Sequence, residues 1–183
     1  NIKQTVELRN AVQKYLREKT KWGIPALFED EGQHGLMRPE ATVFPQAIGL
    51  ACSWNTNLIE KVYDVAAREM RARGTQFVLS PVVDVCRDPR WGRIEETYGE
   101  DPYLNAQIGI AAIKGLQGSV NGIIDANHVA ATLKHFVGHA QPDGGINQAP
   151  ANYSLRDLYT YHMYPFQQII KNSKPLAVMP SYN

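Results

Sequence analysis

Cysteine is scarce in this chain. Only Cys52 and Cys86 occur among its 183 residues. A pair so sparse in a chain of this length neither demands a disulfide framework nor excludes a single bond. The cysteine count therefore does not distinguish a reducing from an oxidising compartment.

The chain also lacks an excess of one charge. Its 19 Lys and Arg residues are balanced by 18 Asp and Glu residues, which leaves a formal net charge of +1 at pH 7. A polyanionic partner is normally met by a strongly basic surface. The balance argues against nucleic acid as a partner and fits a neutral substrate better.

Long apolar runs are missing as well. No segment approaches the roughly 18 consecutive apolar residues that a membrane span needs, so we expect no membrane partner. The first residues, Asn-Ile-Lys-Gln, hold no apolar signal segment. A signal removed beforehand would leave the same start, and a secreted or periplasmic location is slightly favoured.

What the chain does have is the composition of a globular domain, with 44% hydrophobic and 20% charged residues. Short apolar runs predict buried strands, and amphipathic stretches between them predict helices. The predicted strands are 24–28, 77–85, 129–137 and 176–182, and the predicted helices are 6–15, 58–73, 103–116 and 155–170.

Strands that alternate with helices indicate a parallel sheet. The long loops 31–45, 86–102 and 138–154 all follow carboxyl ends of strands, the edge on which (β/α)8 barrels build active sites. Such a barrel needs eight strands, and four are predicted here. The sequence therefore predicts an α/β fold of TIM-barrel type, with residues 1–183 as the N-terminal part of a truncated barrel domain.

Three motifs in these loops carry polar side chains suited to a binding site. Segment 88–93 reads Asp-Pro-Arg-Trp-Gly-Arg, and the planar guanidinium of Arg93 suits vicinal hydroxyls or a carboxylate. The alternative for Arg93 is an ion pair with Glu95 or Glu96. Glu31 ends a run of three carboxylates at 29–31, which repel one another unless some face water or a ligand; the alternative is a solvated charged loop.

Lys134 and His135 are adjacent at the end of the third predicted strand. Successive side chains of a strand point to opposite faces, so both reach a site only if the strand kinks there. His139 follows at a spacing that would suit a metal pair on a helix, but the segment reads as strand and glycine loop. We predict no metal site.

Tyr182 closes the fourth predicted strand in the sequence Pro-Ser-Tyr-Asn. Its hydroxyl can donate a hydrogen bond to a carboxylate in the site. Plain packing of the ring is equally compatible with the sequence.

Together, the segments 31–35, 88–102 and 134–136 resemble the N-terminal barrel domain of glycoside hydrolase family 3, and the resemblance covers about residues 23–183. It implies a retaining glycosidase of β-glucosidase or β-xylosidase type, which removes terminal non-reducing β-linked glucosyl or xylosyl residues by double displacement. Glu31, Arg93, Lys134 and His135 would then bind the sugar, and no cofactor is needed. Many glucosidases of the family have Asp where Glu31 stands, so the longer side chain alters the fit of a hydroxymethyl group.

One branch of the family, the N-acetylglucosaminidases, carries an Asp-Ser/Thr-His segment after the Lys-His-Phe motif. Here the corresponding loop reads Gly-His-Ala-Gln-Pro-Asp-Gly-Gly, and Asp143 has no such histidine partner. The resemblance therefore implies the glucosidase and xylosidase branch, and Asp143 is interpreted as a turn residue.

The family's nucleophile is an aspartate in a Ser-Asp-Trp-like motif after a later strand, and this chain has no Ser-Asp pair followed by an aromatic residue. We therefore expect no catalytic residue here, an inactive isolated piece, and a substrate site completed by the rest of the barrel and a C-terminal domain. Two alternatives stay open: a non-catalytic carbohydrate-binding or structural protein, and a barrel aldolase with Lys134 as Schiff base.

Overall fold

Helices and strands alternate along the chain, and the computed structural model describes all 183 residues. The helices are α1 (Ile2–Lys19), α2 (Ala47–Ala51), α3 (Thr56–Ala72), α4 (Pro102–Gln117), α5 (Leu155–Asp157) and α6 (Met163–Asn172). The π-helical turn Leu158–His162 joins α5 to α6, and 3-10 turns occupy Ile94–Glu96 and Asp143–Gly145. The strands are β1 (Glu29–Asp30), β2 (Phe77–Val78), β3 (Ala130–Phe136) and β4 (Ala177–Pro180).

The four strands form one sheet in the order β1-β2-β3-β4, and every neighbouring pair is parallel. A helix follows each of the first three strands, as parallel connections require. The predicted α/β fold is confirmed, with four successive β-strands of the kind that begin a (β/α)8 barrel.

The bounds of the first predicted strand, 24–28, are wrong. The ladder begins only at Glu29, and Ile24 and Leu27 are exposed. The backbone hydrogen-bonding groups of Ala26 are paired with a side chain instead of a neighbouring strand. The Gln13 side chain of α1 donates to the Ala26 carbonyl and accepts from the Ala26 amide. A side chain distant in sequence thus replaces a strand neighbour, which an apolar run cannot reveal.

The second predicted strand, 77–85, is shorter than expected. Regular pairing covers Phe77 and Val78, and an isolated bridge joins Val82 to Lys134. Pro81 lies between the two and has no N–H to donate to a ladder. The segment nevertheless runs beside β3, since the Ser80 and Pro81 carbonyls accept from the Thr132 and Lys134 amides.

The four predicted helical segments are all present, with ends that differ by up to four residues. Helix α2 was not predicted, because five residues are too few to show a helical period. None of the helices combines the length and the apolar character that crossing a bilayer requires.

The core lies between the sheet and helices α3, α4 and α6. Asn55 caps α3, and its buried residues recur at helical spacing from Ile59 to Met70. Helix α4 begins at Asp101, whose side chain accepts from the Leu104 amide, and is buried on most sides because it lies against both α3 and α6. Helix α4 begins just after the loop that follows β2, and α2 separates the loop after β1 from α3.

The contact between α3 and α4 depends on Gly115. A Cβ added there would collide with the Glu60 carbonyl and would lie 2.9 Å from Tyr63 Cβ and 3.0 Å from the Asp64 amide nitrogen. Two of these three atoms belong to backbone, which cannot move aside as a side-chain tip can. The helices can approach this closely only because residue 115 has no side chain.

We therefore expect Gly115→Ala to lower the free energy of unfolding by about 1–3 kcal/mol through overpacking. Gly49→Ala in α2 is the matched control, because its added Cβ would meet only Pro45 at an ordinary 3.6 Å. Urea unfolding of both variants measures the difference. Equal stability of the two variants would contradict the close-approach argument.

Candidate functional site

Charged side chains from three successive strand ends meet at the carboxyl edge of the sheet. Glu31 follows β1, and Asp84 and Arg93 follow β2. Lys134 and His135 lie near the carboxyl end of β3. Their side chains are joined by hydrogen bonds, although up to 103 residues separate them in the sequence. This is the edge at which barrel enzymes place their sites.

Lys134 and His135 both reach this edge, as predicted for a strand that kinks. The β3–β4 register shifts between Lys134 and Phe136, and the Lys134–His135 peptide bond is cis. Lys134 is only 2% exposed, and its Nζ lies 3.0 Å from Glu31 Oε2. A buried ammonium of this kind must be paired.

Glu31 is the ion-pair partner of Lys134. Its side chain is 52% exposed, and Gln33 Nε2 also donates to Oε2 at 2.6 Å. The carboxylate therefore lies between a buried cation and solvent. The alternative of a freely solvated loop is not what the structure shows for Glu31.

Arg93 forms an ion pair with Glu96, which is the alternative role considered for it from the sequence. Its Nε and Nη2 donate to the two carboxylate oxygens of Glu96 at 2.7 and 2.8 Å. Burial raises the pKa of Glu96, but the hydrogen bonds and charge of Arg93 outweigh it, so that this pKa lies below its usual value. The bidentate pair holds the guanidinium plane in a fixed orientation.

The other side of the same guanidinium contacts two histidines. Arg93 Nη2 lies 3.2 Å from His135 Nε2, and Nη1 lies 3.1 Å from His139 Nε2. Burial lowers the pKa of His139; Asp84 opposes this and Arg93 adds to it, which favours the neutral imidazole. Arg93 is thus both an ion-pair member and part of the polar cluster.

Asp84 is the member of the cluster that sequence reasoning missed. Its Oδ2 accepts from His135 Nδ1 at 2.7 Å and from the His135 amide at 3.2 Å, and its side chain is 1% exposed. The available signal was a lone carboxylate in the apolar run Val-Val-Asp-Val. A buried carboxylate requires a partner, and that requirement points to a site.

Tyr182 lies at the margin of the cluster. Its ring packs edge-on against His139, with centroids 5.6 Å apart, and it is 69% exposed. Its hydroxyl makes no hydrogen bond within the chain, so of the two roles that the sequence left open this structure contains the ring packing. His139 also contacts the buried Trp91, with ring centroids 5.2 Å apart, and Trp91 Nε1 donates to Asn147 Oδ1.

The remaining residues of the motif loops have local roles. Asp88 and Arg90 pair with one another, and Asp143 lies in a 3-10 turn and accepts from Asn152. His135 and His139 both direct Nε2 at Arg93 rather than at a shared open position. No group of three or more His, Cys, Asp or Glu residues is arranged to hold a metal ion.

Two buried tyrosines support the loop that carries Glu31. The Tyr63 hydroxyl donates to the Gln33 carbonyl at 2.7 Å and lies 2.7 Å from the Tyr98 hydroxyl. Burial raises the pKa of Tyr63 to about 12, so both groups are neutral at ordinary pH. Helix α3 is thereby connected, through Gln33, to the Glu31 carboxylate.

Comparison with known proteins identifies a family for this arrangement. Residues 1–183 match the family described as "Glycosyl hydrolase family 3 N terminal domain". A putative β-xylosidase of Formosa agariphila is 40% identical over 176 residues, which is 96% of this chain and 23% of that protein.

Thermostable β-glucosidase B of Acetivibrio thermocellus is 32% identical over 88% of this chain and 22% of its own length. The structure of a β-glucosidase from Erythrobacter marinus has a TM-score of 0.89 at 37% identity, covering 97% of this chain and 24% of that one. The chain thus spans roughly a quarter of the length of these relatives.

The tyrosine pair provides a test of how the Glu31 loop is supported. Tyr63→Phe leaves both the Gln33 carbonyl and the Tyr98 hydroxyl without a buried partner, and should cost about 1–3 kcal/mol of unfolding free energy. Tyr98→Phe removes one hydroxyl but leaves the Tyr63–Gln33 bond, and should cost less. Denaturant unfolding of the two variants decides; a larger loss for Tyr98→Phe would contradict the assignment.

Proposed function

Since the chain belongs to the N-terminal domain family of glycosyl hydrolase family 3, we propose that the complete protein is an exo-acting retaining β-glycosidase. It removes terminal non-reducing β-linked glucosyl or xylosyl residues from glycosides or oligosaccharides. Residues 1–183 are the first part of its barrel domain and bind the terminal sugar. The nucleophile and the acid/base are supplied by chain beyond these residues.

The observation that carries this proposal is the group of charged side chains at the carboxyl edge. A neutral sugar offers vicinal hydroxyls, and each hydroxyl can both donate and accept. Lys134 and Arg93 supply donors in fixed directions, and the half-exposed Glu31 supplies an acceptor beside them. We assign sugar hydroxyls to Glu31, Arg93, Lys134 and His135, and a contact at the margin to Tyr182.

Two observations favour a xylosyl over a glucosyl residue. The relative from Formosa agariphila, named a putative β-xylosidase, is 40% identical, against 37% for the β-glucosidase from Erythrobacter marinus and 32% for the one from Acetivibrio thermocellus. Glu31 is also one methylene longer than the Asp of many family glucosidases. Xylose lacks the hydroxymethyl group of glucose, so it leaves room for the longer side chain.

The aldolase alternative is disfavoured by the state of Lys134. A Schiff-base lysine needs a free amine, which desolvation without a counter-charge would provide. Here the buried Nζ has such a counter-charge, since it lies 3.0 Å from the Glu31 carboxylate. A non-catalytic carbohydrate-binding protein stays the second candidate, because the four side chains we assign to the sugar act by binding.

Activity of the complete protein separates these candidates. We expect it to hydrolyse an aryl β-xyloside and, more slowly, an aryl β-glucoside, with retention of anomeric configuration observed by NMR. Binding of xylose or glucose without turnover of any aryl glycoside would favour the binding protein instead.

Lys134→Ala in the complete enzyme should lower kcat/KM about 10-fold or more, because a hydrogen bond to a charged donor is worth roughly 1.5–3 kcal/mol. Lys114→Ala is the matched control, since Lys114 pairs with Glu60 on the outer helices and should leave kcat/KM unchanged. Steady-state kinetics on the preferred aryl glycoside measure both. A loss of less than about threefold for Lys134→Ala would remove this residue from the sugar site.

Glu31→Asp should shift the preference from xyloside towards glucoside. Shortening the side chain by one methylene opens space for a hydroxymethyl group, and a methylene in a fitted pocket is worth about 10-fold or more in discrimination. The ratio of kcat/KM on the two aryl glycosides measures the shift. An unchanged ratio would show that Glu31 does not read this part of the sugar.

A further inference from the structure

Four of the five N–H donors of Arg93 are directed at acceptors within the chain. A guanidinium has five N–H donors and no acceptor. Two donors, on Nε and Nη2, are used by Glu96, the second Nη2 donor faces His135 Nε2, and one Nη1 donor faces His139 Nε2. The remaining N–H, on Nη1, has no hydrogen-bond partner within the chain.

This count indicates which ring nitrogen of His135 faces a donor. Since Arg93 can only donate, the Nε2 atom that faces it at 3.2 Å must accept. The proton of a neutral imidazole then lies on Nδ1, which faces Asp84 Oδ2 at 2.7 Å. The geometry thus fits the Nδ1–H tautomer of His135, placed between a carboxylate and a guanidinium.

His135 is the only residue whose side chain forms a hydrogen bond with Asp84. Its Oδ2 accepts from the amide and the ring of His135, and its buried Oδ1 has no hydrogen-bond partner. A buried carboxylate with an unused oxygen is costly, and no direct ion pair with an Arg or Lys compensates it. All of its hydrogen bonds are with His135, which is one of the three residues that form hydrogen bonds with the Arg93 guanidinium.

We propose that Asp84 is a positioning residue, which holds His135 as the Nδ1–H tautomer so that Nε2 accepts from Arg93 and the guanidinium presents its remaining N–H to the sugar. The inference rests on the proposed function of the site. It gives His135 a role in holding Arg93, in addition to the sugar contact that the proposed function assigns to this residue.

The alternative tautomer shows why the position of one proton matters. With the proton on Nε2, His135 would direct a donor at a donor of Arg93, and the two groups would separate. The guanidinium would then be held on that side by His139 alone. Small misplacements of a substrate-positioning group have large effects on rate.

The first experiment reads the tautomer directly, without using activity. Nitrogen NMR of the complete enzyme labelled with 15N-histidine, assigned with His135→Ala, should place the His135 proton on Nδ1. Asp84→Ala should move it to Nε2, whereas Asp84→Asn should keep it on Nδ1 because the amide oxygen can still accept. A proton on Nε2 in the wild-type enzyme, or an unchanged tautomer in Asp84→Ala, would overturn the proposal.

The second experiment asks whether Asp84 acts through His135. We expect Asp84→Ala to lower kcat/KM about tenfold or more, and the double variant with His135→Ala to be no worse than His135→Ala alone within about twofold. Losses that multiply would mean that Asp84 acts independently of His135, and would overturn the inference. Thr132→Val, which replaces a buried hydroxyl without a partner on the same strand, is the control and should change neither the tautomer nor kcat/KM.

Two further outcomes separate this inference from the function on which it rests. If His135→Ala keeps full activity, the site assignment itself is wrong and the inference falls with it. If His135→Ala loses activity while Asp84→Ala does not, the site stands and only the role of Asp84 is refuted. Should Asp84→Ala fail to fold, Asp84→Asn decides: a proton on Nε2 with full activity would overturn the proposal.

Discussion

The backbone hydrogen bonds between β3 and the segment after β2 are the interaction on which the site depends. The Ser80 and Pro81 carbonyls accept from β3, and the Val83 amide donates to the Lys134 carbonyl. This parallel register places Asp84 opposite His135, within hydrogen-bond distance of both its amide and its ring. Shifting the register by one residue would direct these side chains to the other face of the sheet.

Charges at this edge are nearly balanced before any ligand binds. Two cations, Lys134 and Arg93, are accompanied by the carboxylates of Glu31, Asp84 and Glu96. Removing charges from water is costly unless each is paired and hydrogen-bonded, and Glu31 is paired with Lys134 and Glu96 with Arg93. Such a site has little net attraction for a charged ligand but offers directed donors and acceptors, which is what a neutral sugar requires.

Much of the fold could be predicted, because helices and parallel strands have their own periodicities. The amphipathic pattern of α3 and the capping residues at Asn55 and Asp101 mark their helices locally. The first strand was misplaced because Gln13, a residue of α1, satisfies the backbone of Ala26. Contacts between residues distant in sequence leave no local pattern, and α2 is too short to have one.

Residue types and their spacing along the chain define the motifs, their place after strand ends, and the family that they indicate. Which side chains meet is set by the folded structure. There, Glu31 pairs with Lys134 across 103 residues, and Arg93 contacts Glu96 and the two imidazoles. Asp84 also lies in the site, where it contacts His135. The physical reason is that hydrogen bonds depend on distance and direction in space, and these are defined only once β1, β2 and β3 lie side by side.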